Sequence, residues 1–214
     1  MRVLAEVISW VFMPLFMPIY ALALVMFVPS NQDYFFNADC LYTISTAGKF
    51  ALLYWFFVFS VALPGVSFLI LQRTKVIATI EMEEQRERTI PIVIMLAYCL
   101  ALYLLFVIKV GHGFISKFAF SLPLSGVCVT LVFFFLNRWK KVSIHAGAVG
   151  IFTGFILAYI LQHIEYQLWM LSLAILVSGL VMTARMYLEK HTLLELFVGW
   201  LTGTLITFGV NYFY

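Results

Sequence analysis

Seven stretches of the chain approach the length needed to cross a bilayer, and none holds an Asp, Glu, Lys or Arg: residues 7–28, 50–71, 90–108, 118–136, 146–162, 168–183 and 196–214. A helix needs about 20 mostly apolar residues to cover the hydrocarbon core, and a backbone in lipid has to satisfy its own hydrogen bonds. The fifth and sixth stretches are short and are expected to extend into their flanks. The whole chain is 64% hydrophobic and only 11% charged, where a soluble domain carries about a quarter charged residues. The expectation is an all-α, polytopic transmembrane helix bundle of about seven spans, a single transmembrane domain over residues 1–214.

Several classes fall away on the same grounds. A formal charge of +3 asks for no nucleic-acid partner. Cys40, Cys99 and Cys128 are far apart and form no Cys-x-x-Cys pair, so neither a disulfide framework nor a zinc site is indicated. Uncharged spans argue against a pump or proton-coupled transporter, because buried charges mark ion pathways. The last span has no lysine for a retinal Schiff base. The first apolar run is longer than a signal-peptide core and no small-x-small site closes it, so it reads as a retained span.

Within the spans, Pro14 and Pro18 predict a kink in the first, and Pro64-Gly65 a bend in the second. Gly147, Gly150 and Gly154 give the fifth span a small-residue face for close helix packing, and Gly199 with Gly203 does the same in the seventh. Gly111-His112-Gly113 predicts a tight turn. The two long connectors cover residues 29–49, with Asp33 and Asp39, and 72–89.

Three polar spots punctuate these runs: residues 86–91, residues 140–145 and residues 184–195. They fall between spans two and three, four and five, and six and seven, which puts all three on one side of the membrane. The last holds Arg185, a histidine six residues later at 191, and a carboxylate four beyond that, Glu195. A carboxylate on one ring nitrogen fixes the tautomer and raises the basicity of the other, which makes a histidine competent to attack phosphorus. Arginine presents a planar fork matched to phosphate oxygens. Ser143 adds a hydroxyl, and His145 can protonate a departing oxygen. The same residues also have a purely structural reading. Thr192 and Glu195 fit a capping box, and Arg185, Lys140 and Lys141 fit interfacial anchors beside Trp139. His112 and His163 lack such companions and read as interfacial.

Ala184-Arg185, five residues, His191, three residues, Glu195 resembles the third signature of the type-2 phosphatidic acid phosphatase and haloperoxidase superfamily, which reads Ser-Arg, five residues, His, three residues, Asp. Ser143-Ile144-His145 is similar to its second signature, Pro-Ser-Gly-His, and residues 86–91 faintly echo the first, Lys, six residues, Arg-Pro. The resemblance covers mainly residues 138–214. It implies His191 as nucleophile, Glu195 orienting it and His145 as general acid. Ser143, Arg185, Arg88 and Lys141 would bind the phosphate. It implies no metal or other cofactor, and a lipid phosphate or diphosphate as substrate. Glu195 replaces the aspartate, Val142 and Ile144 replace the proline and glycine, and Ala184 removes a hydroxyl.

Two functions from different classes follow. One is a metal-independent membrane lipid phosphatase. The other is a catalytically inactive relative that serves as a lipid-binding or structural subunit of a membrane complex. The expected location is a bacterial inner (cytoplasmic) membrane. Arg2, Arg73, Lys75, Arg86, Arg88, Arg138, Lys140, Lys141, Arg185 and Lys190 lie on the side of the polar spots, against Lys49, Lys109 and Lys117 opposite. By the positive-inside rule the spots face the cytoplasm, although superfamily lipid phosphatases usually face away from it.

Overall fold

The computed structural model describes residues 1–30, 40–79, 82, 84–110, 115–163 and 167–214. Asp33, Asp39, His112 and the turn expected around it lie outside these residues. The described chain is all-α: α1 (Arg2–Val11), α2 (Met17–Phe27), α3 (Thr46–Arg73), α4 (Arg86–Lys109), α5 (Lys117–Trp139), α6 (Ile144–Leu161), α7 (Leu168–Tyr187) and α8 (Leu193–Phe213). The six helices α3 to α8 are long and apolar enough to cross a membrane. Leu104, Phe135, Leu176 and many other large apolar side chains point outward, as lipid contact requires. The protein is an integral membrane protein.

The first of the seven expected spans is not one helix. It is divided into α1 and α2 by residues 12–16, where Pro14 sits, and Pro18 stands in the first turn of α2. Two prolines four apart remove two backbone donors and crowd the preceding turn, so the helix ends rather than kinks. The segment still runs the length of the bundle. Ser9 lies beside His145 at one end of α6, and Ser30 hydrogen-bonds Tyr159 at the other. Six continuous spans and one broken traverse therefore replace seven continuous spans. The three polar spots stay on one side, because the break precedes all of them.

In α3 the backbone widens into a π-helical turn over Val58–Ala62, just before Leu63-Pro64. Proline cannot supply the amide that an α-helix needs at that position, and the widened turn re-registers the hydrogen bonds around it.

Helix α6 is the axis of the bundle: 72% of it is buried, against 22% for α3 and for α4. Its partner α8 lies parallel to it and almost in backbone contact. A Cβ added to Gly150 would stand 2.3 Å from the Trp200 carbonyl oxygen, and one added to Gly203 2.3 Å from that of Gly147. The small faces expected at Gly147, Gly150, Gly154, Gly199 and Gly203 thus meet each other, and only glycine admits so close a crossing. At the far end Asn211, fully buried, ties the helices together. Its side chain accepts from Ser121 (2.6 Å) and donates to Ser125 (2.7 Å), while its carbonyl accepts from Gln162 (3.0 Å). Polar groups inside a membrane bundle hold helices together in this way.

Candidate functional site

Because α6 and α8 run parallel, both their N-termini open at the same end. Ser143 caps α6, its Oγ accepting from the Ala146 amide at 3.3 Å. Thr192 caps α8, its Oγ1 accepting from the Glu195 amide at 3.4 Å. The Ser143 amide donates to the Glu195 carbonyl oxygen at 3.3 Å, which sets the two N-termini side by side. Both helix dipoles direct their positive ends at the space above them.

The chain reaches α8 from α7 through a short reversal. Glu189 takes a left-handed conformation (φ 56°), and the Lys190 amide donates to the Arg185 carbonyl oxygen at 3.1 Å. That turn brings His191 back toward the last turn of α7. Arg185 belongs to this last turn rather than to a flanking loop, since α7 continues to Tyr187. It is buried, at 2% exposure.

His191 is buried as well. Its Nδ1 is 2.7 Å from Glu195 Oε2. The same carboxylate oxygen accepts the Thr192 amide at 3.4 Å and completes the capping box. One carboxylate oxygen of Glu195 thus makes both the cap contact and the histidine contact. With Nδ1 held by the carboxylate, Nε2 is the nitrogen left to act on a ligand. Burial pushes the His191 pKa down to about 4. The Glu195 hydrogen bond works against that shift, and the charges of Arg88, Lys141 and Arg185 add to it. The imidazole is neutral at pH 7 and surrounded by cations.

The other expected residues gather here too. His145, on the first turn of α6, faces the Ser9 backbone and lies within electrostatic reach of Arg185, His191 and Arg88. Arg88, at 3% exposure, donates through Nε to the Met82 carbonyl (2.9 Å) and through Nη1 to the Val142 carbonyl (2.7 Å). It therefore clamps the connector before α4 onto the start of α6. Lys141 Nζ donates to the Lys190 carbonyl at 3.2 Å and bridges the two other polar spots. Ser143 is fully buried beneath the cap it makes. All seven residues singled out in the sequence, His145, His191, Glu195, Arg185, Ser143, Arg88 and Lys141, thus lie at one end of the bundle. Among the described residues no group of three or more His, Cys, Asp or Glu is placed to hold a metal ion.

The sequence reading missed two contributors. Ser9, on the amphipathic α1, lies against His145 and Arg185 at the head of a cavity. Gln85 and Asn137 exchange hydrogen bonds, Gln85 Nε2 to the Asn137 carbonyl and Asn137 Nδ2 to the Gln85 carbonyl, and pin the connector that carries Arg88. The strong apolar face of α1 was the available signal for the first. A pairing across fifty residues left none for the second. His163, expected at the interface, stands just past the end of α6 and is buried at 1% exposure with its ring stacked on Tyr159.

Compared with family models, with curated proteins and with solved structures, the chain matches none.

Proposed function

We propose that this protein is a metal-independent membrane phosphatase that cleaves a lipid phosphate or diphosphate through a phosphohistidine on His191. The observation that carries the reading is the Nδ1–Oε2 contact of 2.7 Å between His191 and Glu195, with the charges of Arg88, Lys141 and Arg185 around the imidazole. A neutral imidazole whose Nδ1–H is held by a carboxylate offers the Nε2 lone pair to phosphorus. The N–P bond forms as the P–O bond to the leaving group breaks, and His145, protonated once the anionic phosphate offsets the charges of Arg88 and Arg185 around it, gives the departing oxygen its proton. Water then attacks phosphorus and breaks the N–P bond, phosphate departs, and the water proton returns to His145. The cations and the two helix N-termini meet the charge that builds on the phosphoryl oxygens.

Purified protein presented with a panel of phospholipid and isoprenoid phosphates tests this. Phosphate release should persist in chelator and be inhibited by vanadate. If no ester or anhydride in the panel is cleaved, the catalytic reading fails.

A second reading, a catalytically inactive relative that binds lipid or serves as a subunit of a membrane complex, has one specific support. Ser143 Oγ, Glu195 Oε2 and two of the Arg88 nitrogens are already engaged in holding the fold. The same panel separates the two.

The membrane is proposed to be a bacterial inner membrane with the site on its cytoplasmic side, on the strength of the bias in Lys and Arg. In a variant lacking native cysteines, Tyr42→Cys should react with an impermeant thiol reagent in intact cells, and Lys75→Cys only after permeabilisation. The reverse pattern would invert the orientation.

A further inference from the structure

Below His145 and Arg185 the helices part around an apolar cavity of about 180 Å³. Its head is formed by Ser9, His145 and Arg185, and its floor by the buried side chains of Phe56, Leu102 and Leu122. Pro91 and Leu102 of α4, Phe133 and Leu122 of α5, and Phe68 and Phe56 of α3 all line it. At a helical rise of ~1.5 Å per residue these pairs give a depth of roughly 16–18 Å along the bundle axis. An extended chain advances ~1.2 Å per bond, so that depth takes about 14 carbons.

Two observations say that the cavity is a binding site rather than a packing gap. Arg185 and His145 line its head and apolar side chains the rest, so a molecule with an anionic head and an apolar tail satisfies both parts at once. In addition Ser9 lines its head at 5% exposure, and its Oγ has no hydrogen-bond partner. A buried hydroxyl without a partner is costly, and a ligand oxygen relieves the cost. The apolar remainder of the cavity has nothing to offer water and suits hydrocarbon.

We propose that this cavity holds one hydrocarbon chain of a phosphate-bearing lipid inside the bundle, with Ser9 donating a hydrogen bond to an oxygen of the headgroup. The inference rests on the cationic end being a phosphate site, but it does not need hydrolysis. It assigns chain length to the floor residues and headgroup contact to Ser9. The tail leaves the bilayer and enters the protein instead of lying against its outer surface.

The test uses full-length protein carrying His191→Ala, so that the probe survives, and tetradecyl phosphate with a diazirine at the chain terminus. Irradiation should place adducts on Phe56, Leu102 or Leu122. Ala148→Phe, which fills the cavity about one helical turn below His145, should cut that labelling by about tenfold, and Ser9→Ala should reduce it by roughly threefold, the effect of one modest hydrogen bond. The same probe ending in an alcohol instead of a phosphate should label the floor weakly. Adducts confined to the lipid-facing Leu104, Phe135 or Leu176 would overturn the inference, and the labelling map of the protein without cavity substitutions decides this even if Ala148→Phe does not fold. Equal floor labelling by the alcohol probe would overturn the phosphate-bearing ligand. Floor labelling by the phosphate probe, together with a wild-type protein that never hydrolyses it, would leave this inference standing and remove the phosphatase reading alone.

Discussion

His191 and His163 sit at opposite ends of the same pair of parallel helices. His191 lies just before the N-terminus of α8, against a carboxylate and within reach of Arg88, Lys141 and Arg185. His163 lies just past the C-terminus of α6. Its Nδ1 rests 2.6 Å from the carbonyl oxygen of Tyr159, one turn back, and its ring stacks on the Tyr159 ring at 3.9 Å. Around it are Ser30 and Cys40, joined by a 2.8 Å hydrogen bond. Burial pushes the Cys40 thiol up, but hydrogen bonds with His163, Ser30 and Tyr159 outweigh it and leave the pKa lowered to about 6. One end thus converges cations and helix N-termini on its histidine. The other closes aromatic and small polar groups over its own, and holds the long connector to the bundle. The lesson is that burial of a histidine says little, and that what faces its two nitrogens says nearly everything.

The sharpest break between the ends comes from truncating each histidine. His191→Ala should lower phosphate release by about 10⁴-fold or more, the scale on which a lost nucleophile acts. His163→Ala should leave turnover per folded molecule within about twofold while costing ~2 kcal/mol of stability, as a hole in a buried cluster does. Turnover and Tm measured on both variants check the pair, and equal losses of turnover would erase the distinction.

Glu195→Gln is next in size. The amide keeps an oxygen for the Thr192 amide, so the helix cap survives and Tm should move by less than the ~1 kcal/mol of a lost cap. The imidazole loses its carboxylate, and turnover should fall about 10- to 100-fold. An activity equal to wild type would assign Glu195 to the cap alone.

The close crossing of α6 and α8 binds the ends together. Gly203→Ala drives a Cβ to 2.3 Å from the Gly147 carbonyl. It should cost about 1–3 kcal/mol as overpacking and disturb the site as well. Gly209→Ala on the same helix meets nothing within 4 Å and should be neutral or stabilising by about 0.5–1 kcal/mol. Thermal unfolding in detergent distinguishes them.

The smallest effect is in pH. His191 titrates near 4 in the folded protein, below its ordinary value, so the acid limb of kcat/KM should lie well below the ~6.5 of a free histidine. The unfolded state takes up the proton first. The contribution of this residue to stability is therefore complete above pH ~6.5 and is lost progressively as pH falls toward 4. Lys141→Met removes one of the cations that hold the pKa down and should move the limb upward. A limb fixed at the free-histidine value in both proteins would separate the cations from the imidazole.

Much of this was legible in the chain. Uncharged runs of bilayer length fixed an all-α membrane bundle, because lipid leaves a backbone no alternative. The spacing of Arg185, His191 and Glu195 fixed a local geometry, since four residues along a starting helix bring a carboxylate under a ring nitrogen. The parity of the connectors put three polar spots on one side. The glycines at 147, 150, 154, 199 and 203 announced a close crossing without naming its partners. What the chain did not carry depended on contacts between distant segments. Only the tertiary structure decided that Pro14 and Pro18 end a helix instead of bending it, because the outcome depends on whether neighbouring helices resupply the lost hydrogen bonds. Only there does Arg88 reach the Val142 carbonyl, does Ser9 close over His145, and does His163 turn inward. Only there do the helices leave a cavity beneath His145 and Arg185. A sequence fixes what each segment must hide from water and from lipid, but which segments hide each other is settled by packing between residues far apart along the chain.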